Sequence, residues 1–118
     1  MKNITVTICT ILFFANLAFG QNIDNSKPTL FCVGDSTINN SSDGFKGWGN
    51  VINEFFNNQI NVVNRARGGR SSRTYFTEGL WQNVVDELKS GDFVLIQFGH
   101  NDGGPIDKDK FRGSIRGI

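Results

Sequence analysis

The chain has 118 residues and a formal net charge of +1, with 12 Lys and Arg against 11 Asp and Glu. This balance gives no general argument for nucleic acid or a membrane surface as a partner, and neither is expected. One histidine and two cysteines, Cys9 and Cys32, are too few for a metal-ligand set, so no metal or other cofactor is expected. Cys32 stands in an apolar run, where a buried, unpaired thiol is typical.

The N-terminus has the pattern of a cleavable export signal. Lys2 precedes a mostly apolar stretch over residues 4–19, and Ala18-Phe19-Gly20 places small residues at the two positions that a signal peptidase recognises. A membrane anchor is the alternative, but about 16 residues fall short of the ~20 that span a bilayer. Removing 20 of the 118 residues would leave 98, in which 11 basic side chains balance 11 acidic ones. We therefore expect a secreted or periplasmic protein without stable membrane association.

Beyond this segment, strand-like runs alternate with stretches of helical periodicity. Residues 29–33, 61–64 and 93–98 are short apolar runs, typical of strands in a buried parallel sheet. Between them, residues 48–56 and 77–89 place apolar side chains at helical spacing. This order of strand, helix, strand, helix, strand predicts an α/β domain with right-handed crossovers and helices on the faces of the sheet.

The third run, residues 93–98, is the most apolar, and no strand-like run follows it. Complete proteins usually cover or pair such a strand, because an open apolar edge promotes aggregation. Two interpretations stay open. Residues 21–118 are the N-terminal portion of one larger domain, which we favour, or they form a small domain with a polar tail.

A short polar motif follows each predicted strand. The motifs are Gly34-Asp35-Ser36-Thr37, then Asn64-Arg65-Ala66 leading to Gly69-Arg70-Ser71, then Gly99-His100-Asn101-Asp102. Ligands of open parallel sheets bind beyond the carboxyl ends of the strands, so the three motifs should meet at one edge. Taken singly, each motif is better explained as an ordinary polar turn. The functional argument therefore depends on all three in this order.

The residue types in these motifs fit acyl transfer through an oxyanion. Ser36 is the candidate nucleophile, which requires an adjacent base, and Asp35 would orient its loop. The backbone N–H of Gly69 and the side-chain amide of Asn101 would donate hydrogen bonds to the oxyanion. His100 is the only histidine and is not assigned as the base, and the chain contains no Asp-x-x-His sequence. The sequence thus supplies a nucleophile and oxyanion donors without an identified general base.

Four arginines cluster around the glycine motif: Arg65, Arg67, Arg70 and Arg73. Arginine binds carboxylates in a bidentate manner, which favours an acidic polysaccharide as partner. We take Arg70, Arg73 and His100 as candidate substrate-binding residues. The alternative is that these arginines are solvated or paired with acidic residues of the chain itself.

The motifs resemble the conserved blocks of the SGNH (GDSL-like) hydrolases, most closely those of the rhamnogalacturonan acetylesterase group. The resemblance covers residues 29–118. The matching segments are Gly34-Asp35-Ser36-Thr37 (nucleophile block), Gly47-Trp48-Gly49 (start of the following helix), Asn64-x-Ala66-x-x-Gly69-Arg70-Ser71-Ser72-Arg73 (glycine block) and Phe98-Gly99-His100-Asn101-Asp102-Gly103-Gly104-Pro105 (asparagine block).

The resemblance implies a flavodoxin-like, three-layer α/β/α SGNH-hydrolase fold with a parallel sheet, of which this chain holds the first three strands and two helices. It also implies metal-free removal of acetyl groups from pectic rhamnogalacturonan. Ser36 would be the nucleophile, and its own N–H would join the Gly69 N–H and the Asn101 amide in the oxyanion hole. The family's catalytic Asp and His belong to an Asp-x-x-His block near the end of a longer domain, which this chain does not reach.

We therefore expect a secreted carbohydrate esterase that hydrolyses O-acetyl esters through an acetyl-enzyme intermediate. Its partner would be an acetylated pectic polysaccharide or oligosaccharide, and this chain alone would be inactive or nearly so. Two alternatives remain: a non-catalytic module that binds acidic glycans, and an SGNH esterase or lipase that acts on other acyl esters. The sequence leaves the acetylated sugar position and the oligomeric state open.

Overall fold

The computed structural model describes residues 23–103 and 113–115. The predicted signal segment, residues 1–20, lies outside these ranges. Three strands form one sheet: β1 (Thr29–Gly34), β2 (Asn61–Asn64) and β3 (Phe93–Gln97). Two α-helices, α1 (Ser72–Thr77) and α2 (Leu80–Glu87), and two 3-10 helices, Trp48–Asn50 and Ile52–Phe55, connect them.

The sheet is parallel throughout, with the strand order β2-β1-β3. The predicted run over residues 61–64 is β2, the first run extends by one residue to Gly34, and the third ends one residue early at Gln97. All six residues of β1 are buried, because this strand has a neighbour on each side and a packed layer on each face. The predicted α/β architecture with a parallel sheet is confirmed.

The helix predicted over residues 48–56 is wrong in type, since two short 3-10 helices stand there instead. The backbone passes so close to Ile38 that a Cβ at Gly47 would lie 2.2 Å from the Ile38 carbonyl oxygen. A Cβ at Gly49 would lie 2.4 Å from Ile38 Cγ2. At Val51 the backbone leaves helical geometry, with φ −125° and ψ −12°. Tight packing against the loop after β1 therefore takes precedence over the apolar periodicity.

The helix predicted over residues 77–89 is confirmed as α2, over Leu80–Glu87, whereas α1 precedes it and shares only Thr77 with the predicted range. Ser71 caps α1 because its side chain accepts a hydrogen bond from Thr74 N–H, while the Thr74 side chain accepts one from Ser71 N–H. Gly79, at φ +75°, separates α1 from α2. Apolar spacing could not locate α1, whose signals are the cap and the glycine.

Side chains of β1 alternate between two core layers. Phe31 and Val33 pack with α1 and α2, in a cluster completed by Val63, Tyr75 and Val84. On the opposite face, Leu30 and Cys32 pack with Ile38 and Ala66 under Trp48 and Ile52. The Cys32 thiol is buried and unpaired as predicted, and burial raises its pKa. No helix within the described ranges is long and apolar enough to cross a bilayer.

Candidate active site

Ser36 lies in a tight turn two residues beyond β1. The Asp35 carbonyl oxygen accepts hydrogen bonds from Ile38 N–H and Asn39 N–H, each at 3.1 Å, and Asp35 Oδ1 accepts one from Thr37 N–H at 2.8 Å. Asp35 is fully buried, whereas Ser36 is half-buried. A buried carboxylate thus shapes the turn that holds Ser36 at the carboxyl edge of the sheet.

The second carboxylate oxygen of Asp35, Oδ2, is buried and has no hydrogen-bond partner among the described residues. Burying a polar atom without a partner costs on the order of 1–3 kcal/mol. The turn that carries Ser36 therefore lowers the stability of the fold, and such local destabilisation is common at functional sites.

Gly34 joins this turn to both neighbouring strands. A Cβ at Gly34 would lie 2.2 Å from the Gln97 carbonyl oxygen, so β3 can approach only a glycine here. The Gly34 carbonyl oxygen accepts a hydrogen bond from Arg67 N–H at 2.9 Å. The nucleophile motif is thereby tied to the glycine motif through backbone atoms.

Gly68 and Gly69 bring the chain after β2 alongside Ser36. A Cβ at Gly68 would lie 3.6 Å from Ser36 Cβ, which is ordinary contact distance. Gly69 has φ +76°, in the left-handed region that glycine adopts without strain. Neither Ser36 N–H nor Gly69 N–H makes a hydrogen bond to another described residue. Both backbone donors predicted for the oxyanion hole are therefore uncommitted in this part of the chain.

Asn101 is tied to the glycine motif from the other side. Its side chain is buried, and Nδ2 donates a hydrogen bond to the Arg70 carbonyl oxygen at 3.0 Å. An amide nitrogen carries two hydrogens, so a second N–H remains for a ligand. The structure thus brings Ser36, Gly69 and Asn101 to one edge, and their catalytic roles stay predictions.

The arginines near this edge are largely engaged within the chain. Arg65 Nε donates to Glu87 Oε1 at 3.0 Å, and Arg70 Nε donates to Glu78 Oε2 at 3.0 Å. Arg70 Nη1 also donates to the Gly68 carbonyl oxygen at 3.2 Å, which braces the glycine turn. Intrachain pairing, the alternative to substrate binding, is thus realised for Arg65 and Arg70. Substrate binding by Arg70, Arg73 and the exposed His100 remains a prediction.

Two contacts that the sequence did not indicate support the edge. Tyr75 Oη donates a hydrogen bond to the Arg65 carbonyl oxygen at 2.7 Å. Burial raises the pKa of Tyr75 to about 12, because the phenolate would be poorly solvated there, although nearby Arg65 opposes the shift. Asp102 Oδ1 and Oδ2 accept hydrogen bonds from Ser72 N–H at 2.8 Å and Ser72 Oγ at 2.6 Å. These pairs join residues 10 and 30 positions apart, which local patterns cannot reveal.

Ser36 Oγ has no hydrogen-bonded base among the described residues. Within the same residues, no group of three or more His, Cys, Asp and Glu side chains is placed to hold a metal ion. The described part of the chain therefore provides a serine, two backbone N–H groups and a side-chain amide, which are the groups that the predicted attack on an ester carbonyl requires.

Comparison with known proteins gives this arrangement a family. The sequence profile of the GDSL-like lipase/acylhydrolase family matches residues 30–117. The chain is 43% identical over 84 residues to a rhamnogalacturonan acetylesterase from Emericella nidulans, covering 71% of this chain and 32% of that protein. It is 39% identical over 83 residues to rhamnogalacturonan acetylesterase RhgT from Bacillus subtilis, covering 67% and 36%.

A solved structure agrees with the sequence relatives. The crystal structure of protein YxiM from Bacillus subtilis superposes with a TM-score of 0.63 at 29% identity, covering 70% of this chain and 25% of that one. The chain spans about a third of the length of the two acetylesterases it matches. Because the family profile covers most of the sequence and the fold agrees, the chain belongs to the GDSL-like lipase/acylhydrolase family, also known as the SGNH hydrolases.

Proposed function

We propose that the protein is a secreted SGNH esterase that removes O-acetyl groups from pectic rhamnogalacturonan, with Ser36 as nucleophile. The observation that carries the proposal is the bonding of the three motifs to one another. Arg67 N–H donates to the Gly34 carbonyl oxygen, and Asn101 Nδ2 donates to the Arg70 carbonyl oxygen. These two bonds hold the serine and the candidate oxyanion donors at the same edge.

In the proposed reaction, Ser36 Oγ attacks the acetyl carbonyl carbon while a general base takes the hydroxyl proton. The carbonyl oxygen becomes an oxyanion, which Ser36 N–H, Gly69 N–H and the free Asn101 N–H stabilise. Collapse of this intermediate breaks the bond to the sugar oxygen, which leaves as a protonated hydroxyl. Water then attacks the acetyl-serine as the base takes one of its protons, and the bond to Ser36 Oγ breaks as that proton passes to Oγ, which releases acetate and restores the serine. Ser36 Oγ has no hydrogen-bonded base among the described residues, so the proposal assigns this role to no named residue.

The proposed substrate rests on the relatives. Two matched proteins, from a fungus and a bacterium, are named rhamnogalacturonan acetylesterases. Their identity to this chain is 43% over 84 residues and 39% over 83 residues. A third relative at 30% identity, YxiM, is named only as an uncharacterized esterase, so the family membership alone does not select the sugar.

The test uses the intact protein encoded by the complete reading frame that contains this sequence. Acetate release from acetylated rhamnogalacturonan is measured for the wild type, for Ser36→Ala and for Ser41→Ala, an exposed serine in the following loop. We expect Ser36→Ala to abolish turnover, by at least about 10⁴-fold, and Ser41→Ala to match the wild type. Substantial turnover by Ser36→Ala would rule out this nucleophile.

The acyl group is tested by comparing p-nitrophenyl acetate with esters of longer acyl chains. Preference for acetate supports the acetylesterase, whereas preference for long chains would place the protein among esterases or lipases for other acyl groups.

A second candidate function follows from the missing base. Because Ser36 Oγ has no hydrogen-bonded base among the described residues, a glycan-binding module without chemistry would fit the same edge. It predicts saturable binding of acidic pectic oligosaccharides by calorimetry, together with no acetate release by the intact wild-type protein.

A further inference from the structure

The Ser72–Asp102 pair links the glycine motif to the asparagine motif. Ser72 is the first residue of α1, directly after the capping Ser71, and Asp102 follows Asn101. The carboxylate accepts two hydrogen bonds from Ser72, from the backbone N–H at 2.8 Å and from Oγ at 2.6 Å. Both ionised oxygens are thus engaged in charge-assisted bonds, which are stronger than neutral ones.

A third segment is attached to the same pair. Ile115 N–H donates to Ser72 Oγ at 3.1 Å, and Gly113 N–H donates to the Asn101 carbonyl oxygen at 3.2 Å. Ser72 Oγ can serve both neighbours because a hydroxyl donates one hydrogen bond and accepts others. The pair therefore stands where three separate parts of the chain meet, beside the candidate oxyanion hole.

The position of the Asn101 side chain depends on this junction. Its Nδ2 donates to the Arg70 carbonyl oxygen at 3.0 Å, and this is the one bond that the side chain makes to another described residue. A single bond constrains distance but leaves the amide free to rotate about it. The adjacent Asp102 accepts two more bonds from Ser72, at the start of α1 two residues after Arg70, and these bonds fix the backbone of Asn101 relative to Gly69.

We infer that Asp102, acting through Ser72, is a positioning residue that sets the Asn101 amide at the correct distance and angle to the Gly69 N–H. The inference rests on the proposed function for its catalytic consequence. Asp102 has both oxygens bonded to Ser72, so it does not itself contact the reacting ester. Because an oxyanion hole must match a developing charge, a displacement of about 1 Å can cost on the order of 10²-fold in rate.

The test compares four variants of the intact protein. Asp102→Ala removes both bonds, and Ser72→Ala removes the Oγ bonds but keeps the backbone N–H. Asp102→Asn can still accept from Ser72 N–H and donate to Ser72 Oγ, so it should rescue the geometry. The matched control is Asp86→Ala, an exposed carboxylate on α2 whose one partner among the described residues is the Gln82 side chain.

We expect Asp102→Ala to lower kcat by about 10- to 100-fold with KM unchanged, and Ser72→Ala to lower kcat by a smaller factor. The kcat of Asp102→Asn and of Asp86→Ala should stay within a few-fold of the wild-type value. An unchanged kcat in Asp102→Ala, or an effect on KM alone, would overturn the inference. Failure of Asp102→Asn to recover would also count against it, since the geometry rather than the charge is claimed to matter.

A second readout separates this inference from the proposed function. Exchange and chemical shift of the Asn101 side-chain amide are followed by NMR, with the backbone amides of β1 as the measure of intact folding. Asp102→Ala should speed the exchange of the Asn101 amide while β1 stays protected. If the wild type releases no acetate, the proposed function fails but the amide measurement still decides whether Asp102 positions Asn101. An unchanged Asn101 amide would refute the positioning role directly.

Discussion

β1 and β3 are neighbouring strands of similar apolar composition, yet their environments are opposite. All six residues of β1 are buried, whereas in β3 Phe93, Leu95 and Ile96 are 58%, 42% and 55% exposed. Residues 93–98 are the most apolar of the three runs, yet among the described residues β3 is the most exposed of the three strands. Apolar composition identified both strands but did not rank their burial.

The difference follows from strand order. β1 lies between β2 and β3, so it has a neighbour on both sides and a layer on both faces. β3 pairs with β1 alone within the described residues. By register, Phe93 and Leu95 share a face with Leu30 and Cys32, but the layer containing Ile38, Trp48 and Ile52 closes over the latter pair. The burial of a strand in this sheet therefore depends on its place in the strand order and not on its apolar composition.

The comparison is tested most directly by a matched pair of phenylalanines. Phe31 in β1 is 2% exposed, whereas Phe93 in β3 is 58% exposed. We expect Phe31→Ala to lower the free energy of unfolding by about 3–5 kcal/mol, because it leaves a cavity in the core. Phe93→Ala should lower it by about 1 kcal/mol or less, since most of that side chain already contacts water. Urea titration of the 118-residue chain, followed by circular dichroism, measures both losses, and equal losses would contradict the assignment of environments.

Tyr75 contacts residues of both strand regions that are compared here. It packs in the core against β1, and its ring lies edge-on to the ring of Phe98, just after β3, with the ring centroids 5.3 Å apart. Tyr75→Phe loses the hydrogen bond to the Arg65 carbonyl oxygen and should lower the free energy of unfolding by about 1 kcal/mol near neutral pH. Unfolding at several pH values measures this loss against the wild type.

The same residue gives a pH dependence of known sign. The pKa of Tyr75 is about 12 in the folded protein, against about 10 for an exposed tyrosine. Between these values the unfolded chain releases the proton and the folded chain keeps it, so stability present below pH 10 falls as the pH rises towards 12. Cys32, whose pKa is also raised, acts in the same direction. Tyr75→Phe should therefore flatten part of the alkaline loss, and an unchanged profile would show that Tyr75 titrates normally.

For the 118-residue chain, the smallest stability effect is expected on β3, on the side where no described residue pairs with it. Leu95→Lys should change the free energy of unfolding by less than about 1 kcal/mol but reduce concentration-dependent association, because a charge on an edge strand discourages pairing with other chains. Val85→Lys is the control, since Val85 is 39% exposed but lies on α2 rather than on the sheet. Light scattering over a concentration series distinguishes the two. If the wild type and Leu95→Lys associate equally, the exposed face of β3 does not drive self-association.

In the candidate site, as in the strands, the position along the chain is predictable from the sequence, whereas the surroundings are not. Ser36, Gly69 and Asn101 were placed at one edge from the sequence, because each follows a recognisable strand and parallel strands end on the same side. The sequence does not specify which distant residues bond around this edge. Arg70 stays a candidate substrate-binding residue, and its Nε donates to Glu78, as the alternative of intrachain pairing allows; Asp102, to which the sequence assigns no role, binds Ser72.

The sequence by itself determined the elements whose signals are local: three apolar runs, their parallel α/β order and the polar motifs at their ends. A strand or a tight turn depends on residues within a few positions of one another, so its pattern is visible in one dimension. The tertiary structure decided what depends on distant contacts. It turned a predicted helix into 3-10 turns against Ile38, separated α1 from α2 at Gly79, paired β3 with β1 alone among the described residues and bonded Asp102 to Ser72. These outcomes depend on which distant surfaces meet, and only packing of the folded chain determines that.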